Sequence, residues 1–356
     1  MVGRDPYSNG EFLLFPKEDR LWAQNFNPRT AQVEGPKVVI ADDAGQFTMS
    51  LTGSLVFRKA SAELNSLGWY DRTGKLLLDV GQKGDYWDVQ LSPDGERAAV
   101  VNHRSSSGLF WIDVIEIERN VQTPFSDFTA IGHAPVWTRD GKALYFGIFG
   151  KESNRVASKP IEAASAATTQ FTSKERYQPR DLSPDGKTLL ADQVVSPTRQ
   201  IVVISPIPQI QWRPVTSVPG VTAKAQFSSD GRWIVYQSDE TGALEIYITD
   251  FPGMQQKKRI SANGGQEARW RRDGKELYYL AGNGDLMAVQ IGSSPLEAGK
   301  ATVLFRFHGR SDDLDAGFQY APAGDGQRFL MVNGDAGGGA RDLRVIFDWP
   351  ELAGRK

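Results

Sequence analysis

The chain has 356 residues, of which 41 are Lys or Arg and 43 are Asp or Glu, a formal charge of -2. That balance carries no basic excess of the kind that advertises a nucleic-acid surface, and 10% aromatic residues argue against a disordered chain. With no Cys at all, disulfides, thiolate catalysis and Cys-ligated zinc are excluded. No run approaches the roughly 18 to 20 apolar residues that span a bilayer, so the chain is not itself membrane-embedded by this reading. The opening MVGRDPYSNG has no apolar signal core. The chain is expected either to be cytosolic or to be a piece of a longer protein from which a leader or membrane anchor is missing.

Taken in order, the chain repeats one hairpin unit. Turn signals stand at Ser8-Asn9-Gly10, Thr52-Gly53, Ser92-Pro93-Asp94-Gly95, Arg139-Asp140-Gly141, Ser183-Pro184-Asp185-Gly186, Ser229-Asp230-Gly231, Arg272-Asp273-Gly274 and Gly324-Asp325-Gly326. Their glycines are spaced 43, 42, 46, 45, 45, 43 and 52 residues apart. The chemistry is that of a tight turn, in which Asp bonds back to nearby amides and Gly accepts a positive φ. A strand precedes the better-defined turns, as in Trp87 to Leu91, Ala225 to Phe227 and Ala268 to Trp270. An apolar strand follows each turn, from Phe12 to Phe15 through Leu55 to Phe57 and on to Phe329 to Val332. A third strand follows, such as Gly68 to Asp71 or Leu244 to Ile248, and in several units a fourth, such as Leu76 to Val80 or Val303 to Phe307. About 45 residues and four antiparallel strands is the period of a propeller blade. The fold class is therefore all-β, a β-propeller of four-stranded antiparallel blades, eight by the turn count, with seven or six as open alternatives. A single domain over 1–356 is expected, closed by pairing of the N- and C-terminal blades. Trp137 and Trp270, each just ahead of its turn, are expected to pack between blades, and Trp349 to seal the last blade against the first.

Enzymatic signatures are missing. There is no G-x-S-x-G, no Gly-rich nucleotide loop, no HRD-type catalytic loop and no DFG triplet. His103, His133 and His308 fall in separate units, so their convergence on a metal is not expected. Asp312, Asp313 and Asp315 read as a solvated acidic loop within the insertion that lengthens the last spacing. The acids Asp94, Asp140, Asp185, Asp230, Asp273 and Asp325 read as turn residues. No cofactor, no metal and no catalytic residue is assigned.

The units of the form LSPDG plus an apolar strand resemble the TolB-like β-propellers. The stretch FSSDGRWIVYQSDETGALEIYITDFPG, the run from Ile260 to Leu277, and the endings DGQRFLMVN and RVIFDWPEL resemble the C-terminal extracytoplasmic sensor propeller of bacterial transmembrane serine/threonine protein kinases. The resemblance covers essentially the whole chain. It implies a non-catalytic sensor domain of a bacterial signalling protein, on the periplasmic side and tethered to a membrane protein. The alternatives are a structural protein-interaction scaffold, or the propeller portion of a peptidase-like enzyme.

In a propeller the innermost strands line a central channel. Six residues before the turn acids stand Asp88, Ala134, Pro179, Lys224 and Glu267, and four before them Gln90, Val136, Asp181, Gln226 and Arg269. Charge on such strands is expensive unless it is paired or wet. With neighbouring aromatics, the expected ligand site at the channel and top face is Tyr86, Asp88, His133, Arg180, Lys224, Glu267, Arg269, Phe318 and Tyr320. Its partner is expected to be a peptide, a protein or a small polar ligand.

Overall fold

The computed structural model describes the chain apart from residues 1, 5–10, 18–19, 43, 51–52, 60–63, 105–108, 127–130, 151–152, 163–165, 196–197, 206–210, 217, 219, 293–296, 308, 310–316, 335–342 and 355–356. The turn signals at Asn9 and Thr52, His308 and the acidic cluster Asp312, Asp313 and Asp315 lie outside the described residues.

Six turn signals fold alike. At Gly95, Gly141, Gly186, Gly231, Gly274 and Gly326 the glycine N–H donates to the carbonyl three residues back, at 2.8 to 2.9 Å. The preceding Asp accepts through Oδ1 from the amide two residues on, at 3.0 to 3.1 Å. Each of these glycines has a φ between 67° and 79°, a region that side chains with a Cβ rarely enter. The six acids are turn residues, as their position predicts.

The described residues form eight antiparallel sheets, seven of four strands and one of three, in keeping with the all-β reading and its eight repeats. They divide between two compact units. The larger, residues 64–103 and 109–335, holds six four-stranded sheets. Five take their strands in chain order, beginning at Tyr86–Leu91, Ile131–Trp137, Arg176–Leu182, Thr222–Phe227 and Gln266–Trp270. The sixth is assembled from distant pieces, in the order Tyr320–Pro322, Arg328–Asn333, Asn65–Asp71, Leu76–Gly84. First strands touch in succession, and Tyr320–Pro322 touches both Gln266–Trp270 and Tyr86–Leu91, so this unit closes as a ring of six blades. Hydrophobic clusters fill the seams. One joins Ala99, Val101, Ile112 and Phe125 of one sheet to Trp137, Leu144 and Phe146 of the next. Trp137 also donates its indole N–H to the Gln90 carbonyl across that seam, at 3.0 Å.

The closing sheet corrects the strand grouping read from the repeats. Strands 65–71 and 76–84 do not share a sheet with Leu55–Lys59. Strand 65–71 pairs with 328–333, from Arg328 opposite Asp71 to Asn333 opposite Ser66. The physical reason is closure, which leaves neither end of the cycle with an unpaired inner edge.

The smaller unit, residues 1–63, 104–108 and 336–356, has one sheet of Val2–Arg4, Glu11–Lys17, Arg20–Asn27 and Gln32–Asp42. Its second sheet joins Ala44–Met49, Leu55–Lys59 and Leu343–Ile346. A short helix follows, Trp349–Gly354, which the sequence reading did not foresee. Pro350 lies in its first turn, where a missing N–H costs nothing. Trp349 is buried with Leu14, Leu21, Leu55 and Phe57, its ring edge-on to Phe12 at 5.8 Å.

Candidate functional site

The axis of the six-bladed unit is built by bulges in the first strands. Pairing with the second strand slips between His133 and Val136, Pro179 and Asp181, Ala223 and Gln226, and Gln266 and Arg269. Ala134, Lys224 and Glu267 sit in these slips with φ of 54°, 54° and 57°. Such values are uncommon outside glycine and cost about 1 kcal/mol or more each. Of the polar residues that look out of place on an inner strand, Arg180, Lys224 and Glu267 sit in these slips, whereas Asp88, Gln90, Asp181, Gln226 and Arg269 keep their pairing.

Their side chains meet across sheets. Lys224 Nζ donates to Glu267 Oε1 and to the Gly317 carbonyl, both at 2.8 Å. Glu267 Oε2 accepts from the Gln319 amide at 2.7 Å, and Tyr320 donates its hydroxyl to the Glu267 carbonyl at 2.8 Å. Asp88 Oδ1 accepts from the Phe318 amide at 3.1 Å and from Gln90 Nε2 at 3.0 Å. Arg269 donates to Gln90 Oε1 at 2.9 Å and to the Val89 carbonyl at 3.1 Å, and its guanidinium lies 3.6 Å from the centre of the Phe318 ring. Arg180 bonds Asp192 at 2.7 Å and Gln178 at 2.6 Å, while Asp192 also accepts from the Lys224 amide at 3.1 Å. All of these side chains are buried.

The segment 317–319 is therefore held at the axis by residues of several blades. Gly317 donates to the Trp87 carbonyl at 2.8 Å, and the Phe318 carbonyl accepts from Val89 at 2.9 Å. Burial pushes the Asp88 and Asp181 carboxyls up, against the pull of Arg180 and Arg269 on the first and Arg139 on the second. Burial likewise pulls the Arg269 guanidinium down and holds the Tyr320 hydroxyl well above its ordinary value.

Of the nine residues expected at the site, six belong to this interlock: Asp88, Lys224, Glu267, Arg269, Phe318 and Tyr320. Tyr86 points elsewhere, packed in a core with Leu67, Val89 and Ile115 and bonded through its hydroxyl to the Gln82 carbonyl and Gln122. Three residues, His133, Arg180 and again Asp88, line a shallow surface crevice together with Trp87, Val101, Ala134, Gln178 and Gly317. Asp88 Oδ2, in the wall of this crevice, is buried without a hydrogen-bond partner.

Beside the crevice runs a row of rings, of which sequence reading named His133 for the site and missed His103, Phe110 and Phe149. His103 lies 4.3 Å from Phe110, Phe110 4.2 Å from His133, and His133 stacks on Phe149 at 5.4 Å. Trp87 stands edge-on to His103 and Phe110 at 5.2 and 5.1 Å, and the Arg176 guanidinium lies 5.6 Å from Phe149. Asp85 anchors one end, accepting from Trp87 Nε1 at 3.1 Å and pairing with His103 Nδ1 at 2.8 Å. Two of the three histidines thus share a neighbour, which their separation in sequence hid. The available signal was positional: His103 stands one residue before the end of strand Arg97–Arg104 and Phe110 one residue after the start of strand Leu109–Glu116, its neighbour in the sheet. Among the described residues no group of three His, Asp or Glu side chains is placed to hold a metal ion, and no helix is long and apolar enough to cross a membrane.

No family model and no curated protein sequence matches the chain. Solved structures do. A structure from Agrobacterium tumefaciens assigned to TolB aligns with a TM-score of 0.61 at 16% identity, over 76% of this chain and 98% of its own. TolB from Acinetobacter baumannii aligns at 0.50 and 14% identity, over 90% of this chain and 79% of its own. An oligogalacturonate lyase in complex with manganese aligns at 0.53 and 12% identity, over 94% and 96%. The chain therefore has a propeller fold similar to that of the TolB structures. At these identities the likeness concerns fold alone, since one fold hosts many functions.

Proposed function

We propose that the chain is a non-catalytic recognition domain that takes a peptide, protein or small polar ligand at the crevice between Trp87, Asp88, His133 and Arg180. The observation that carries this reading is the pairing of two features in one place. A carboxylate oxygen without a partner borders a crevice, and a continuous row of rings crosses two blades beside it. A buried acceptor gains from a donor brought by a ligand, and aromatic faces supply contact area at low entropic cost. Lys224, Glu267, Arg269, Phe318 and Tyr320 are assigned to holding the axis closed, so that they position the crevice without touching the ligand. The sensor role, the placement outside the cytoplasm and the tether to a membrane kinase belong to the same proposal, and rest on the sequence resemblance.

The test is a thermal-shift screen of the full chain with peptides, sugars and divalent ions. A ligand present at about 100 times its Kd stabilises by about 2.7 kcal/mol, which shows as a raised Tm. Phe110→Ala and His133→Ala should remove that shift while leaving the unliganded melt cooperative. A ligand that stabilises both variants as strongly as the parent chain would place recognition elsewhere, and conversion of the bound ligand to a product would refute the non-catalytic reading.

A further inference from the structure

The outer strand of the closing sheet, Leu76–Gly84, has an edge that is capped in one half and bare in the other. Near its end, the Gly81 amide donates to Asn120 Oδ1 at 2.6 Å and the Gln82 amide to Gln122 Oε1 at 3.2 Å. Both caps are side chains of the next blade. Among the described residues no such cap reaches Leu76 to Asp79. There three leucines in succession are solvent-facing, Leu76 at 43%, Leu77 at 51% and Leu78 at 57% exposure. They form an apolar edge on a strand, a ready-made template for pairing with another chain. Alternation fails at this point because Leu77 is the extra residue of a bulge: Trp69 pairs with Leu78 and Tyr70 with Leu76.

Charge says what fits the edge. The segment reads Lys75-Leu76-Leu77-Leu78-Asp79, a pattern complementary to itself when reversed. Antiparallel pairing centred on Leu77 sets Lys75 of each copy opposite Asp79 of the other and places the leucines against one another. Parallel pairing in register would instead set Lys75 against Lys75 and Asp79 against Asp79. Opposite charges across a strand pair are favourable, and like charges are not. We infer that two copies of the chain associate through this edge, strand 76–84 pairing antiparallel with its own counterpart about a two-fold axis at Leu77. The contact is isologous, so it closes at a dimer rather than propagating into a filament. Because the bulge and the caps confine pairing to about five residues, the dimer is weak, with a Kd on the order of 100 µM.

The experiment is sedimentation of the full chain over a concentration series that spans this value. The parent chain should show a reversible monomer–dimer equilibrium. Leu77→Lys places a charge on the axis, and Asp79→Lys turns both cross-strand pairs into repulsions; each should weaken the dimer roughly tenfold. Lys75→Asp should do the same, although Lys75 also lies in the field of Asp71, which makes Asp79→Lys the cleaner single change. The decisive sample mixes the Lys75→Asp and Asp79→Lys chains, in which every cross-strand pair is again opposite in sign. That mixture should associate more tightly than either variant alone. A parent chain that stays monomeric throughout, a dimer indifferent to Leu77→Lys and Asp79→Lys, or a mixture no tighter than its parts would each overturn the inference. All three positions are on the surface, so a lowered Tm or an altered circular dichroism spectrum identifies any variant that has merely misfolded.

Discussion

At the scale of single residues, Asp88 and Asp192 are both buried carboxylates and are opposites in how they are bonded. Asp192 is fully committed, to the Arg180 guanidinium and to the Lys224 amide. Asp88 uses one oxygen and leaves the other bare. Replacing Asp192 with Asn strands a buried guanidinium, and should cost about 3–5 kcal/mol in denaturant unfolding. Asp88→Asn keeps an acceptor for the Phe318 amide and should cost less than about 1.5 kcal/mol near neutral pH. Asp88→Asn should also differ from the parent in pH dependence. Because burial raises the Asp88 carboxyl above its ordinary value, the folded chain binds that proton more tightly than the unfolded one. The parent should therefore lose stability relative to Asp88→Asn as pH rises from the ordinary aspartate range through the raised value, with a flat difference on either side. A parent that instead gained stability relative to Asp88→Asn as pH rose through this range would contradict the assignment. Sequence alone picks out Asp88, Lys224, Glu267 and Arg269, because each stands at a fixed offset from a turn acid. It does not supply their partners: Asp192 reads only as a polar break in LLADQVV, and nothing local ties Arg269 to Phe318, 49 positions further on.

At the scale of elements, the run-in to strand 320–322 matters more than the strand itself. The widest spacing between turn glycines, 52 residues, marks an insertion, but spacing says nothing of where its end is delivered. The structure brings Gly317, Phe318 and Gln319 to the axis, where a Cβ on Gly317 would collide with the Asp88 carboxyl carbon and Oδ2. Gly317→Ala should therefore destabilise by about 3 kcal/mol, at the upper end of overpacking costs. In an Asp88→Ala background, which vacates the space, the same change should cost much less, a coupling that a double-mutant cycle in urea would measure. Additive costs would show that Gly317 is required for another reason. The C-terminal helix was illegible for a different cause: at six residues it is too short to display a helical period.

At the scale of the molecule, the count of repeats was legible and their grouping was not, because every repeat offers the same turn and the same apolar strand. Pairing is decided by which edges remain open at the end, and that is a property of closure rather than of any local stretch. All four strands of each of six sheets lie between residues 65 and 333, so a chain of residues 64–335 should unfold in one cooperative transition. A chain of 64–316, which lacks the two inner strands of the closing sheet, should not; equal melts for the two would mean that closure contributes little. The same sheet sets a clock on synthesis. Its outer hairpin, residues 65–84, leaves the ribosome roughly 240 residues before the strands that complete it, a wait on the order of ten to fifty seconds at ordinary translation rates. Throughout that interval strand 65–71 presents an unsatisfied inner edge, so the nascent chain should be most vulnerable to chaperone capture and to mispairing with neighbours on the same message.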